Sequence, residues 1–271
     1  MYKGIFNGKQ VSLQLKKNIR DTILRHKYNL TLGIIQVGDD AMSFKFIKSK
    51  IQFAYEVNVN VVYKKFPESY PYLSDVIDQF NLDPSINGYL IQLPIVGLND
   101  KNFLNKIDPL KDIDCLTQEN YKKLFLPNPK FIPGVFLAFK HIFEHLNVNS
   151  NMKVLLIGKG FVGKPILHYF QSVGYKVDVV DKDNTKDLKN YSSSADIIIF
   201  TAGVSNLIGK NNIKKGTFLI NIGASANFDG SISGGISDDV ASIAEFFVPS
   251  IGGIGPLTIA MLFENLIKTQ I

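Results

Sequence analysis

The feature that most restricts how this chain can fold is the alternation of short runs rich in valine and isoleucine with segments long enough to be helices. A strand exposed on one face alternates apolar and polar residues, whereas a strand covered on both faces is apolar nearly throughout. TLGIIQV (Thr31 to Val37), GYLIQL (Gly88 to Leu93), KVLLI (Lys153 to Ile157), ADIIIFTA (Ala195 to Ala202) and TFLINIG (Thr217 to Gly223) are of the second kind. With VNVNVVYKKF, which ends at Phe66, and KVDVV (Lys176 to Val180), they make two successive series of strand–helix units. Two such series predict an α/β fold built on parallel sheets. Met42 to Val57 reads as the helix after the first strand, and Pro94, with no N–H for a ladder, closes the third.

A length of 271 residues favours two domains, each large enough for its own core. The prolines, asparagine and glycine of LFLPNPKFIPG (Leu124 to Gly134) mark the connection between them. With 45% hydrophobic and 20% charged residues, the composition is that of a globular protein and excludes a disordered or fibrous chain. The single cysteine, Cys115, permits no internal disulfide, and no Cys/His spacing suggests zinc, so a reducing, cytoplasmic setting without metal is expected. The net charge of +6 comes from scattered lysines, which suits anionic small molecules better than nucleic acid. MYKGIFNGKQ lacks an apolar signal core, and no apolar run approaches the roughly 18 to 20 residues of a membrane span, so no membrane partner is expected.

The first chemical motif lies where a strand meets a helix. Gly158, Gly160 and Gly163 form GxGxxG directly after KVLLI. In a dinucleotide-binding unit the first glycine makes the tight turn, the second admits the pyrophosphate to the backbone, and the third lets helix and strand pack closely. The phosphate then sits at a helix N-terminus. Asp181, eighteen residues after Gly163, closes the next strand, where a carboxylate can accept from ribose hydroxyls. That favours NAD, whereas Lys159 in the loop and Lys182 beside the aspartate can neutralise a 2′-phosphate, so the expected cofactor is NADP or NAD. The glycine turn is also consistent with a purely structural junction.

QVGDDAMSF, GYLIQLPI, DPLKDID, IGKGFVGKP, ADIIIFTAG and, above all, PSIGGIGPLTIAMLFEN cover nearly the whole length. On these segments the chain resembles the bifunctional methylenetetrahydrofolate dehydrogenase/methenyltetrahydrofolate cyclohydrolase family. The resemblance implies an N-terminal catalytic domain (1–130), a Rossmann-like, doubly wound NAD(P)-binding domain (131–255), and a final helix (256–271) returning to the first domain. It also implies a homodimer and a tetrahydrofolate one-carbon derivative held between the domains. Lys50 stands at the family's catalytic lysine, and Phe46 at the tyrosine four residues earlier. Gln92 matches the third-strand glutamine, which would orient Lys50, and Asp114 the aspartate that takes the pterin amino groups. Gly252, Gly253 and Pro256 belong to the last motif and would line the ligand site, with Thr258 as a cap or ligand contact. Ala224, just past the TFLINIG strand, joins the expected cofactor contacts.

The residues can also be read without the family. Phe46 and Lys50 are spaced i,i+4 and share one face of a helix, so both can address one ligand, although a lone helical lysine is usually solvated surface. Asp114, in KDID, is either a carboxylate for paired N–H donors or part of a polar helix-capping loop. PSIGGIGPLT is either ligand-lining backbone or a tight turn that docks the last helix. His26, His141, His145 and His168 match no catalytic position and read as structural, as do Ser192, Ser193 and Ser194, which lack a GxSxG setting. Phe46 lacks the phenol of the family's tyrosine, which puts the hydrolytic step in question more than hydride transfer. Cys115 stands for a glycine, Pro133, Gly134, Val135 and Phe136 for Pro-Cys-Thr-Pro, and Gly158-Lys159-Gly160 for a Gly-Arg-Ser loop one residue longer. These departures leave two alternatives: an enzyme with dehydrogenase activity only, or a non-catalytic dinucleotide- or folate-binding protein.

Overall fold

The computed structural model describes residues 2–98, 102–226 and 232–271. Its elements follow in the order β1 (Gly4–Ile5), α1 (Gly8–His26), β2 (Thr31–Val37), α2 (Ala41–Glu56), β3 (Asn60–Phe66), α3 (Leu73–Leu82) and β4 (Gly88–Ile91). Then come α4 (Gln118–Lys123), α5 (Gly134–Glu144), β5 (Val154–Ile157), α6 (Gly163–Ser172), β6 (Val177–Val180), α7 (Leu188–Ser194), β7 (Ile197–Phe200) and β8 (Phe218–Asn221). β9 (Ala224–Ala226), β10 (Ile232–Gly234), β11 (Phe246–Val248) and α8 (Ile254–Lys268) complete the chain.

The chain divides into two compact units, 12–134 with 259–271, and 1–11 with 135–258. The connection thus ends at residue 134, inside the stretch marked by its prolines and glycine. The first eleven residues, expected with the N-terminal domain, group with the other unit. The reason is β1, which pairs in parallel with β11, placing Gly4 opposite Phe246 and Ile5 opposite Phe247. α8 starts at Ile254, and its first turn belongs to that unit while the rest belongs to the first.

In the first unit β2 is the middle strand of a three-stranded parallel sheet, with β3 and β4 on its sides. Alternate residues of β2 and β4 feed two cores, as the period of two requires. Leu32, Ile34 and Leu90 pack with Ile19 and Ile23 of α1, Ile47 and Phe53 of α2, and Phe263 and Leu266 of α8. Ile35, Val37, Tyr89 and Ile91 pack on the opposite face with Val76, Ile77 and Phe80 of α3. Helices on both faces explain why TLGIIQV carries so little polar relief. The Phe53 and Phe263 rings stack with centroids 4.7 Å apart, tying α8 to α2. Truncating such a buried ring costs about 3–5 kcal/mol.

The second unit carries a six-stranded sheet in the order β1-β11-β8-β7-β5-β6, every neighbouring pair parallel. From β5 the chain steps to β6 on one side and then returns to β7 on the other, so the strand order reverses there. In open parallel sheets that reversal is where ligands bind, outside the carboxyl ends of the strands. The doubly wound, Rossmann-like architecture expected from the second strand series and the family resemblance is present. β9 and β10 form a separate antiparallel pair.

Candidate active site

In the first unit, helix α2 presents an unusual face. Asp40 caps it by accepting the Ser43 N–H at 2.6 Å, and the Ser43 hydroxyl donates to the Leu93 carbonyl at 3.2 Å, tying the helix start to the end of β4. The buried face of α2 then reads Ser43, Ile47, Lys50, Phe53 and Ala54, so a lysine occupies a core position. Lys50 is only 8% exposed. A buried ammonium needs a partner, and Lys50 Nζ donates to Gln92 Oε1 at 2.9 Å. The other end of that amide donates to the Leu93 carbonyl at 2.9 Å, which keeps the oxygen turned to the lysine. Gln92 is itself held by its N–H, which donates to Ile35 O at 2.8 Å and continues the β2–β4 ladder past the last strand residue.

Asp114 completes the cluster. Burial lowers the Lys50 pKa, and the negative charge of Asp114 partly restores it. Burial likewise lifts the Asp114 carboxyl to about 6, with Lys50 pulling it down and Asp112 pushing it up. Half-buried Asp114 and Lys50 thus form an electrostatically linked pair. Phe46, one helical turn before Lys50, is 38% exposed. The structure therefore brings Lys50, Gln92 and Asp114 together and leaves Phe46 open to a ligand on the same helix.

Two residues that the sequence reading passed over hold this arrangement. Asp112 is fully buried and accepts from Leu116 N (2.8 Å), Thr117 N (3.0 Å), Thr117 Oγ1 (2.7 Å) and Asn120 Nδ2 (3.1 Å). The cap of α4 is Thr117, whose hydroxyl accepts Asn120 N at 3.1 Å, so the capping reading of Asp114 is corrected: in KDID the loop-forming carboxylate belongs to Asp112. Cys115 adopts φ +55°, a left-handed conformation, within this turn. Asn265 of α8, fully buried, donates from Nδ2 to Ile113 O at 2.9 Å and to Ile132 O at 2.6 Å. It thereby fixes the peptide just before Asp114. The available signals were an aspartate followed by Thr117 and Asn120, and one amide inside the apolar run IAMLFEN.

The second unit carries the glycine loop. Gly158 has φ +95°, and its N–H donates to Val180 O at 2.8 Å, joining the ends of β5 and β6. A Cβ on Gly163 would lie 2.1 Å from Gly158 O, so only glycine lets α6 start that close to the loop. A Cβ on Gly160 would meet nothing within 4 Å, which leaves that backbone open. The three glycines thus stand as the dinucleotide reading requires, and the loop fits a pyrophosphate. Thr201, after β7, turns its hydroxyl inward to Ile157 O (3.1 Å) and Gly158 O (2.8 Å). Asp181 directly follows β6, and Lys159 and Lys182 are exposed. Ala224 opens β9, and its side chain lies outside the described structure.

Gly252 and Gly253 form the turn before α8 in this same unit. Gly252 has φ +73° and its carbonyl accepts Gly8 N–H at 2.8 Å, while a Cβ on Gly8 would lie 1.7 Å from Gly253 O. The turn therefore docks on the start of α1. Pro256 sits in the first turn of α8, where its missing N–H costs nothing. Thr258 donates to Ile254 O at 3.2 Å, within its own helix, and does not cap it.

Comparison with known proteins agrees with both halves of this description. Residues 6–114 match the tetrahydrofolate dehydrogenase/cyclohydrolase catalytic domain, and residues 135–271 the NAD(P)-binding domain of the same family. The chain belongs to the tetrahydrofolate dehydrogenase/cyclohydrolase family. It is 32% identical to the bifunctional protein FolD of Mycoplasma mycoides, over 97% of this chain and 95% of that protein. It is 33% identical to FolD of Nautilia profundicola, over 97% and 96%. Among solved structures it is similar to the bifunctional enzyme FolD, methylenetetrahydrofolate dehydrogenase/cyclohydrolase, of Campylobacter jejuni. There the TM-score is 0.88 at 28% identity, covering 98% of this chain and 97% of the other.

Proposed function

We propose that this protein oxidises 5,10-methylenetetrahydrofolate to the methenyl form with NADP or NAD, and then hydrolyses the methenyl form to 10-formyltetrahydrofolate. The observation that carries the reading is the buried Lys50 ammonium, held by Gln92 and facing Asp114 in a unit of the matching family. The dinucleotide supplies the hydride acceptor, held by Gly158, Lys159, Gly160, Gly163, Asp181, Lys182 and the backbone near Ala224. Hydride leaves the carbon bridging N5 and N10, and the methenyl product gains one positive charge. Asp114, as a carboxylate above about pH 6, accepts from the pterin N–H groups and anchors the ring. Phe46 offers its exposed ring to the aminobenzoyl group. Gly252, Gly253 and Pro256 are assigned to the folate and nicotinamide surroundings.

For the hydrolytic step, water adds to the bridge carbon as one of its protons passes to a base; the C–N5 bond then opens as N5 takes up a proton and the remaining hydroxyl proton is lost to form the formyl C=O, one proton being released overall. A lysine with a lowered pKa releases its proton more readily and can serve as that base. Gln92 keeps the amine aimed, because its NH2 group is held by the Leu93 carbonyl and its oxygen stays turned to Nζ. A homodimer, acting in the cytoplasm on folates with neither nucleic acid nor membrane as partner, completes the proposal; among the described residues no helix is long and apolar enough to cross a membrane.

Purified protein mixed with 5,10-methylenetetrahydrofolate and either dinucleotide tests this directly, with reduced nicotinamide and methenyl product followed separately. Nicotinamide reduction without methenyl build-up supports both activities. Reduction with persistent methenyl product supports the second reading, dehydrogenase alone, which Phe46 in the place of a tyrosine favours. Ligand uptake without any turnover would leave a binding protein and refute the enzyme.

A further inference from the structure

We infer that the dinucleotide site selects NAD over NADP, and that Asn184 is the positioning residue that sets Asp181 to do so; this rests on the dinucleotide reading of the loop 158–163. Asp181 follows Val180, whose carbonyl accepts the Gly158 N–H at 2.8 Å, so the carboxylate stands at the strand end beside the glycine turn. In open parallel sheets an acidic side chain at that place meets the adenosine ribose hydroxyls. Asn184 clamps the residue from both ends of its amide. Its Oδ1 accepts Asp181 N–H at 2.7 Å, and its Nδ2 donates to Val179 O at 2.9 Å. Asp181 Oδ1 in turn accepts Asp183 N–H at 3.0 Å, which holds the carboxylate in one orientation. A preset acceptor loses little freedom when it takes a ribose hydroxyl.

A 2′-phosphate at that place would put a dianion against a fixed carboxylate. To outweigh this repulsion the loop would need hydroxyls or anchored cations, and it has neither. Gly158, Lys159, Gly160, Phe161 and Val162 include no hydroxyl, and the Thr201 hydroxyl is spent on the Ile157 and Gly158 carbonyls. Lys159 and Lys182 are exposed and make no ion pair among the described residues. Solvated lysines on long flexible stems can meet the bound dinucleotide's phosphates but do not fix a 2′-phosphate against the Asp181 carboxylate.

The test is equilibrium binding of NADH and NADPH by ligand fluorescence, alongside kcat/KM for NAD and NADP with saturating 5,10-methylenetetrahydrofolate. NAD is expected to lead by about tenfold or more in both readouts, and Asp181→Ala to weaken NADH binding by about ten- to a hundredfold, the range of a charged hydrogen bond. The same change is expected to improve NADPH binding and to leave the folate KM unaltered. Asn184→Ala should move the NADH-to-NADPH ratio in the same direction by a smaller factor. Thermal stability is measured in parallel, because an Asn184→Ala protein that loses stability but keeps the native ratio overturns the positioning role. Tighter native binding of NADPH overturns the selectivity alone, whereas binding of neither dinucleotide overturns the loop assignment together with it.

Discussion

Asn265→Ala tests how firmly the last helix holds the turn that carries Asp114. The native amide, fully buried, donates to two carbonyls, Ile113 O and Ile132 O, at 2.9 and 2.6 Å. Alanine removes both donors and puts nothing in their place. A buried acceptor left unmet costs about 1–3 kcal/mol, so the pair amounts to about 2–4 kcal/mol after local relaxation. For a unit of this size that lowers the melting temperature by about 5–15 °C, measured by circular dichroism at fixed pH. Because Ile113 immediately precedes Asp114, the folate KM should rise while the dinucleotide KM, set in the other unit, stays put. Asn265→Asp should do more damage than alanine, since it sets a third acceptor against two carbonyls. A melting shift below about 2 °C together with an unchanged folate KM would show that the turn holds itself and refute the reasoning.

Three further outcomes are expected. Lys50→Met should lower both activities by about a hundredfold or more and also lower the melting temperature, because it leaves buried Asp114 and the Gln92 oxygen without their cation; normal turnover in the variant would contradict it. The folate KM should climb as pH falls through about 6, where Asp114 takes up a proton and stops accepting from the pterin. In the ligand-free protein the raised Asp114 pKa favours folding at low pH, and that contribution is lost as pH rises through about 6; a folate KM flat across that window would remove Asp114 from the pterin site. Gly163→Ala places a Cβ 2.1 Å from Gly158 O and should abolish dinucleotide binding, whereas Gly160→Ala meets open space and should leave the apo protein's melting temperature unchanged; equal stability of the two variants would deny the close packing.

The sequence by itself determined the layering, because an apolar run such as TLGIIQV has no stable place except between two covering layers, and β2 occupies those same residues. The glycine loop was equally legible, since its chemistry is local: Gly158 must turn, Gly163 must yield to the neighbouring backbone, and both requirements are written in adjacent residues. Lys50 could be named by resemblance, but its burial could not be read from it, because a lysine at the i+4 position of a helix is solvated unless the fold covers it. The fold does so by bringing α2 against the end of β4, forty-two residues away, where Gln92 meets the ammonium. Asp112 and Asn265 escaped notice for the same reason. A polar residue becomes a support only when the chain returns to it, and Asn265 reaches Ile113 across 152 residues. The placement of residues 1–11 likewise depended on β1 finding β11 at the sheet edge, a pairing between distant segments that no local pattern encodes.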